Sequence, residues 1–230
     1  MVEAPSFARE PIGNPGAGNV LTVAHTSSPE LLALHAVRIK GMADEVQISQ
    51  RFALEPELVH ELLLDYEAYG WTSRVAFADV KGWALTAGGR AENERRLAAE
   101  LDQTGTRSEV DAAHAVFLAL NARFLATVTN WQIRPNPADQ LAANDHTDLG
   151  WDERVLEDLR RLEVELRPMS QQLAAALERF AGYAERYSAA LDKVNRGERV
   201  WVAQPKIDSC HTVWMELHED LVATLGLVRG

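Results

Sequence analysis

DEVQISQRFALEPELVHELLLDYEAYG, residues 44–70, is the stretch on which the fold turns. Asp44 is an N-cap residue, and the spacing behind it predicts a short helix through Phe52. Leu54-Glu55-Pro56 turns the chain. Pro56 suits the first position of a helix, so the next helix starts there, lasts to about Tyr69 and stops at Gly70. Ile48, Phe52, Leu54, Val59, Leu63 and Tyr66 then face inward across the turn. Ser49 is the small residue that lets one helix cross the other closely, and Gly70 gives the backbone freedom that the second helix end needs.

Upstream of this stretch, Ser28-Pro29-Glu30 starts another helix, LLALHAVRIKGMA, which Gly41 closes or nearly closes. Downstream, Trp71 to Phe77 and Gly82 to Leu85 read as two short strands around a polar Asp79-Val80-Lys81 tip, and a long helix follows from about Ala87 to Leu101. Residues 28–101 thus run helix, helix, helix, hairpin, helix. Residues 1–27, rich in Pro, Gly, Asn and Ser, read as an arm or a leader. DQTGTR at 102–107 reads as a polar linker, and the rest as helices near 108–131, 152–165, 168–196 and 206–225 with three-and-four apolar spacing. Pro135, Pro137 and NDHTD mark a loop after the first of these. The fold class expected is mainly α: a winged helix-turn-helix of three helices and a two-stranded wing, then an all-helical domain over 108–230 for dimerisation or effector binding.

The phrase Trp83-Ala84-Leu85-Thr86-Ala87-Gly88-Gly89-Arg90 completes a pattern that resembles the MarR-like and PadR-like winged-helix regulators, in which a strand ends in Leu-Thr-x-x-Gly-Arg and Thr caps the next helix. The resemblance covers roughly a third of the chain. It implies a homodimer that places the third helix of each copy in a DNA major groove with the wing on the phosphates. On this chain the residues available for such contacts are Gln47, Gln50, Arg51, His60, Arg74 and Lys81, with Arg95 and Arg96 on the following helix. The third helix departs from the pattern: its outward positions are Glu57, His60, Glu61, Leu64 and Asp65, and it carries no Lys, Arg, Asn, Gln, Ser or Thr. Those missing types make most phosphate and base-edge contacts. Residues 28–101 hold eight basic and twelve acidic side chains, a net charge of −4, so the long-range field opposes a polyanion.

The whole chain points the same way, with a formal charge of −11 over 230 residues. A hydrophobic share of 47% and a charged share of 25% are those of packed globular proteins. Cys210, the only cysteine, excludes an internal disulfide framework and a cysteine-based zinc cage, as befits a reducing cytosol. No continuous run of about 18 apolar residues is evident, so no membrane partner is expected.

In the helical part, Ile207, Cys210, Trp214, Leu217 and Leu221 form one stripe at helical spacing, and Asp208, His211, Met215 and His218 form its neighbour. Asp208 and His211 can touch on such a helix. His211 and His218 lie two turns apart, too far to share a metal ion. With Asn121, Trp131 and Trp214 these residues are candidates for a small-molecule effector site. A helical domain with inward His and Asp resembles in this respect the effector domains of GntR-like regulators, although no aligned metal motif is present. The plainer reading is a structural hydrogen-bond network and aromatic core. No metal or cofactor is expected. No phosphate loop, nucleophile elbow or His-Glu-x-x-His motif points to catalysis. Two functions stay open: a dimeric cytoplasmic DNA-binding transcription regulator, or a winged-helix fold without DNA binding that serves as a protein-interaction or small-ligand module.

Overall fold

A computed structural model describes residues 24–77 and 80–227. Residues 1–23 of the expected arm lie outside them. The first helix, α1 (Pro29–Lys40), begins where the Ser28 side chain accepts from the Leu31 N–H, and ends at Gly41 with φ +75°. In α2 (Glu45–Phe52), Asp44 and Gln47 cap each other's backbone N–H groups, a reciprocal box that fixes the helix start. The turn into α3 (Pro56–Ala68) passes through Ala53 in the left-handed region.

Strands β1 (Thr72–Phe77) and β2 (Val80–Leu85) pair antiparallel from Thr72↔Leu85 to Phe77↔Val80. Val80 and Lys81, expected at the tip, are therefore ladder residues; of the expected tip, Asp79 lies outside the described residues. Across the hairpin's other edge Ala43 exchanges two backbone hydrogen bonds with Trp83, at 3.1 and 2.7 Å. That close approach explains Gly82, whose Cβ would stand 2.6 Å from the Ala43 carbonyl oxygen. Gly89 is tighter still: a Cβ there would lie 1.9 Å from the Trp71 carbonyl oxygen, where α4 (Ala87–Thr104) leaves its Thr86 cap.

The expected linker is one helix joint. Residues 102–104 finish α4, Gly105 caps it at φ +67°, and α5 (Arg107–Gln132) begins two residues later. The next helix, α6 (Leu149–Ala176), passes through Pro168 instead of breaking before it. Proline deletes only its own N–H bond to the residue four earlier, and that residue, Val164, lies on the exposed face. The break comes at Leu177, which is extended and forms a bridge with His25, so the expected 168–196 helix is really the end of α6, a 3-10 turn at Glu178–Phe180 and α7 (Tyr183–Asn195). The last helix, α8 (Cys210–Leu225), starts four residues later than expected because Ser209 caps it, accepting from the Thr212 N–H.

Two large apolar cores and one small cluster, Leu31 with Leu97 and Ala223, form among the described residues. Leu34, Val37, Ile48, Val59, Leu63, Tyr66 and Trp83 close the first, among α1, α2, α3 and the hairpin. Leu101 from the end of α4 joins Phe117, Phe124, Leu159, Leu166, Tyr187 and Trp214 in the second, among α5 to α8. Helix α8 packs against both α4 and α1, which ties the N-terminal unit to the helical bundle. Helix α5 corrects one expectation: by length and apolarity it could cross a bilayer, because its apolar residues are interrupted by too few charges, although no unbroken apolar run marks it in the sequence. It packs along α6 and against α8, and leaves Ala112, Ala115, Ala119, Ala122 and Ala126 exposed on its outer face, flanked by half-exposed Val116, Leu118 and Leu125.

Candidate functional site

The residues expected to meet DNA do not form one surface. On α3 the outward face is as acidic as the sequence implies: Glu57, His60, Glu61, Leu64, Asp65 and Glu67 are all exposed. His60 faces Glu45 at 3.1 Å. Arg74 donates to Glu67 at 3.3 Å and covers the Trp83 ring at 4.7 Å. The other four, Gln47, Gln50, Arg51 and Lys81, line a cleft of about 660 Å3 whose opposite wall is the helical bundle, contributed by α7, α8 and the segment between them.

The chemistry of this cleft is dominated by paired and unpaired cations. Asp208 receives two hydrogen bonds from Arg186, at 2.8 and 2.9 Å, and lies 3.7 Å from Lys40 Nζ. Burial pushes the Asp208 carboxyl up, but the hydrogen bonds and charge of Arg186, helped by Lys40, hold it below its ordinary value. Glu216 sits 2.8 Å from Lys40 Nζ and 2.7 Å from Arg186 Nη2, in ion pairs too oblique for hydrogen bonds. Lys40 and Arg186 are thus already neutralised by the protein.

Arg51 is not. Its guanidinium is stacked between the Phe52 ring, 4.4 Å away, and the Tyr183 ring, 4.5 Å away, while its Nε and Nη2 atoms are buried with no hydrogen-bond partner. Nε and Nη2 form the fork edge with which arginine grips an oxyanion. The charge of Arg51 is felt by Asp208 and by Asp220, yet neither accepts a bond from it. Lys81 and Lys206 complete the lining as exposed ammonium groups.

Beside the cleft lies a fully buried polar junction. Asp220 accepts from Arg179 at 2.5 Å, from His35 and the Tyr183 hydroxyl at 2.9 Å each, and from Thr224 at 3.2 Å. Arg179 also donates to Glu100 at 2.9 Å, and Glu100 accepts from Ser27. Arg38 on α1 reaches Glu219 on α8 and Glu94 on α4. His25 and Thr26 secure the described end of the arm to Leu177 and Glu178. The junction therefore joins α1, α4 and α8 through charge, beside the small apolar contact of Leu31, Leu97 and Ala223 from the same three helices.

The effector candidates of the helical part are scattered rather than gathered. Asp208 lies before α8 and belongs to the cleft, so the expected contact with His211 is absent; Ser209 caps the helix and leaves Asp208 on the preceding turn. His211 stacks on Phe124 and His218 on Phe117, both partly buried. Burial lowers the His211 pKa from its ordinary value. Trp214 is wholly enclosed and donates its indole N–H to Asn121 at 2.9 Å. Trp131 packs on His146 at 4.4 Å, toward the far end of α5. These five are core and its satisfied polar edge. Among the described residues no group of three or more His, Cys, Asp or Glu could hold a metal ion.

Sequence reasoning did not single out Lys40, Arg186, Lys206 or Glu216. No local pattern marks them, since they come from four separate segments. No protein-family model matches the chain, and no curated protein or solved structure is significantly similar to it.

Proposed function

We propose that this chain is a winged helix coupled to a helical bundle, and that it binds a small ligand in the cleft between them instead of reading duplex DNA. One observation carries this reading: four of the six side chains available for DNA contact line the cleft shared with the bundle, and the other two are held by carboxylates. The helix that would enter a groove offers only carboxylates, one leucine and an engaged histidine, and a phosphodiester backbone repels such a face. The two units share a charged junction, so occupancy of the cleft can be transmitted between them.

The homodimer that the resemblance implies fits the same reading. The exposed alanines of α5 recur every three or four residues over about 21 Å of helix, a self-complementary seam on which a second copy of α5 can approach closely.

Fluorescence anisotropy with a labelled random duplex at about 50 mM salt tests the central claim, since non-specific binders show their electrostatic affinity there. No saturable binding is expected. Binding that weakens steeply with salt and is lost in Arg74→Ala or Lys81→Ala would restore the DNA-binding regulator.

A further inference from the structure

We infer that the interdomain cleft is a receptor for a small phosphorylated molecule, with the Arg51 guanidinium as its anchor and Lys81 and Lys206 facing it from opposite units. This assignment rests on the ligand-binding reading above and names its chemistry.

Charge selects the class. The cleft is lined by Lys40, Arg51, Lys81, Arg186 and Lys206 against Asp44, Asp208 and Glu216, a local excess of two positive charges on a chain whose formal net charge is −11. A phosphate monoester carries about −1.5 to −2 charges at neutral pH and offers three acceptor oxygens, so it balances that excess where a monocarboxylate would not. Geometry selects Arg51 as the anchor. Two aromatic rings cover the faces of its guanidinium and fix its plane, and no carboxylate accepts from its Nε or Nη2, so its charge is not taken up as those of Lys40 and Arg186 are. A guanidinium held in one plane loses less rotamer freedom when it receives an oxyanion. Lys40 and Arg186, each tied to Asp208 and Glu216, hold the wall in shape and are not needed to neutralise the ligand. The volume of about 660 Å3 exceeds a bare phosphate and suits a metabolite of nucleotide size, whose polar groups would meet Gln47, Gln50 and Thr212.

The experiment is isothermal titration of the full chain with inorganic pyrophosphate and with glycerol 3-phosphate, against sodium chloride and sodium acetate at matched ionic strength. Saturable binding of the phosphates and none of acetate is expected. Arg51→Lys keeps the charge but loses the fork and should weaken binding about tenfold or more, the cost of a charge-assisted hydrogen bond. Lys206→Glu, an exposed substitution that leaves folding intact, should weaken it to a similar degree. No saturable binding of either phosphate at 10 mM (roughly the weakest affinity worth assigning), or binding unchanged in both variants, overturns the assignment and leaves the DNA-free reading standing. Displacement of pyrophosphate by duplex DNA overturns the small-molecule assignment and the DNA-free reading together. An acetate affinity equal to that of phosphate overturns the class.

Discussion

Substituting Asp220→Ala removes the carboxylate at the centre of the buried junction. Both Asp220 and Arg179 are completely enclosed, and the carboxylate accepts hydrogen bonds from four side chains on α1, α7, α8 and the 3-10 turn. Deleting one partner of such a pair leaves a buried charge uncompensated and costs about 3–5 kcal/mol. Glu100 still holds Arg179 Nε, which places the expected loss toward the lower half of that range. For a chain of this size 1 kcal/mol moves the Tm by roughly 2–4 °C, so a fall of about 6–15 °C is expected in thermal unfolding. Exposed Asp192→Ala on α7 is the control, and should stay within about 0.5 kcal/mol. The pH dependence has a definite sign. Burial alone would raise the Asp220 carboxyl, but His35 and Arg179 overcome it and hold the pKa well below the ordinary carboxylate range. The unfolded chain therefore takes up this proton first, near pH 4, and the stability it represents is complete above about pH 5 and lost progressively below pH 4. Urea unfolding from pH 3 to 7 should show that acid-side loss in the parent and a flatter profile in the variant. A loss under about 1 kcal/mol at pH 7, or identical pH profiles, would refute the view that this junction holds the two units together.

Gly89→Ala drives a Cβ to within 1.9 Å of a backbone oxygen, which has no side chain to yield, and should cost at least the 1–3 kcal/mol typical of overpacking, whereas neighbouring Gly88→Ala finds only ordinary contacts and should be neutral or stabilising; equal melting temperatures for the two would refute the close approach. Burial pushes the Cys210 thiol up to about 12, so a thiol reagent at pH 8 should label the native chain only as fast as it unfolds, and full labelling within minutes under native conditions would contradict that burial. Light scattering should report a dimer that Leu118→Glu with Ala119→Glu converts to a monomer with an unchanged circular dichroism spectrum; a parent that is monomeric at high concentration would remove the α5 seam.

What the sequence disclosed was local. Asp44, Pro56, Gly70 and Thr86 each specify a helix end through their own backbone or side-chain chemistry, and those boundaries appear within a residue or two of where they were expected. Pro168 misled because a proline's cost depends on whether the carbonyl it abandons meets water, which is a property of the fold and not of the residue. The expected start of α8 lies four residues too early, since it is Ser209, whose side chain the Thr212 N–H reaches, that caps the helix. The cleft was the least legible feature: Arg51 and Lys206 are more than 150 positions apart in sequence, and they meet at one cavity only because α8 docks on α1 and α4. Arg51 itself looked like a member of a phosphate-contacting rim. That chemical reading survives as a proposal, with the phosphate moved from a duplex to the cleft.

The buried junction and the cleft share their helices, and this has a measurable consequence. On α8, Glu216 walls the cleft and Asp220, one turn further along, belongs to the junction; on α1, Lys40 faces the cleft and His35 and Arg38 face the junction. Replacing buried ion pairs with apolar side chains often leaves stability unchanged or improved, so what such a junction contributes is a fixed mutual position for the helices it joins. A phosphate bound across the cleft would stabilise the same docked arrangement. Pyrophosphate at about one hundred times its Kd should therefore raise stability by about 2.7 kcal/mol, or roughly 5–11 °C in Tm. In Asp220→Asn, measured at a temperature where the variant is fully folded, the pyrophosphate affinity should fall several-fold although the substituted residue does not line the cleft. An affinity equal to that of the parent, in a variant whose stability has dropped, would show that the cleft holds its shape without the junction.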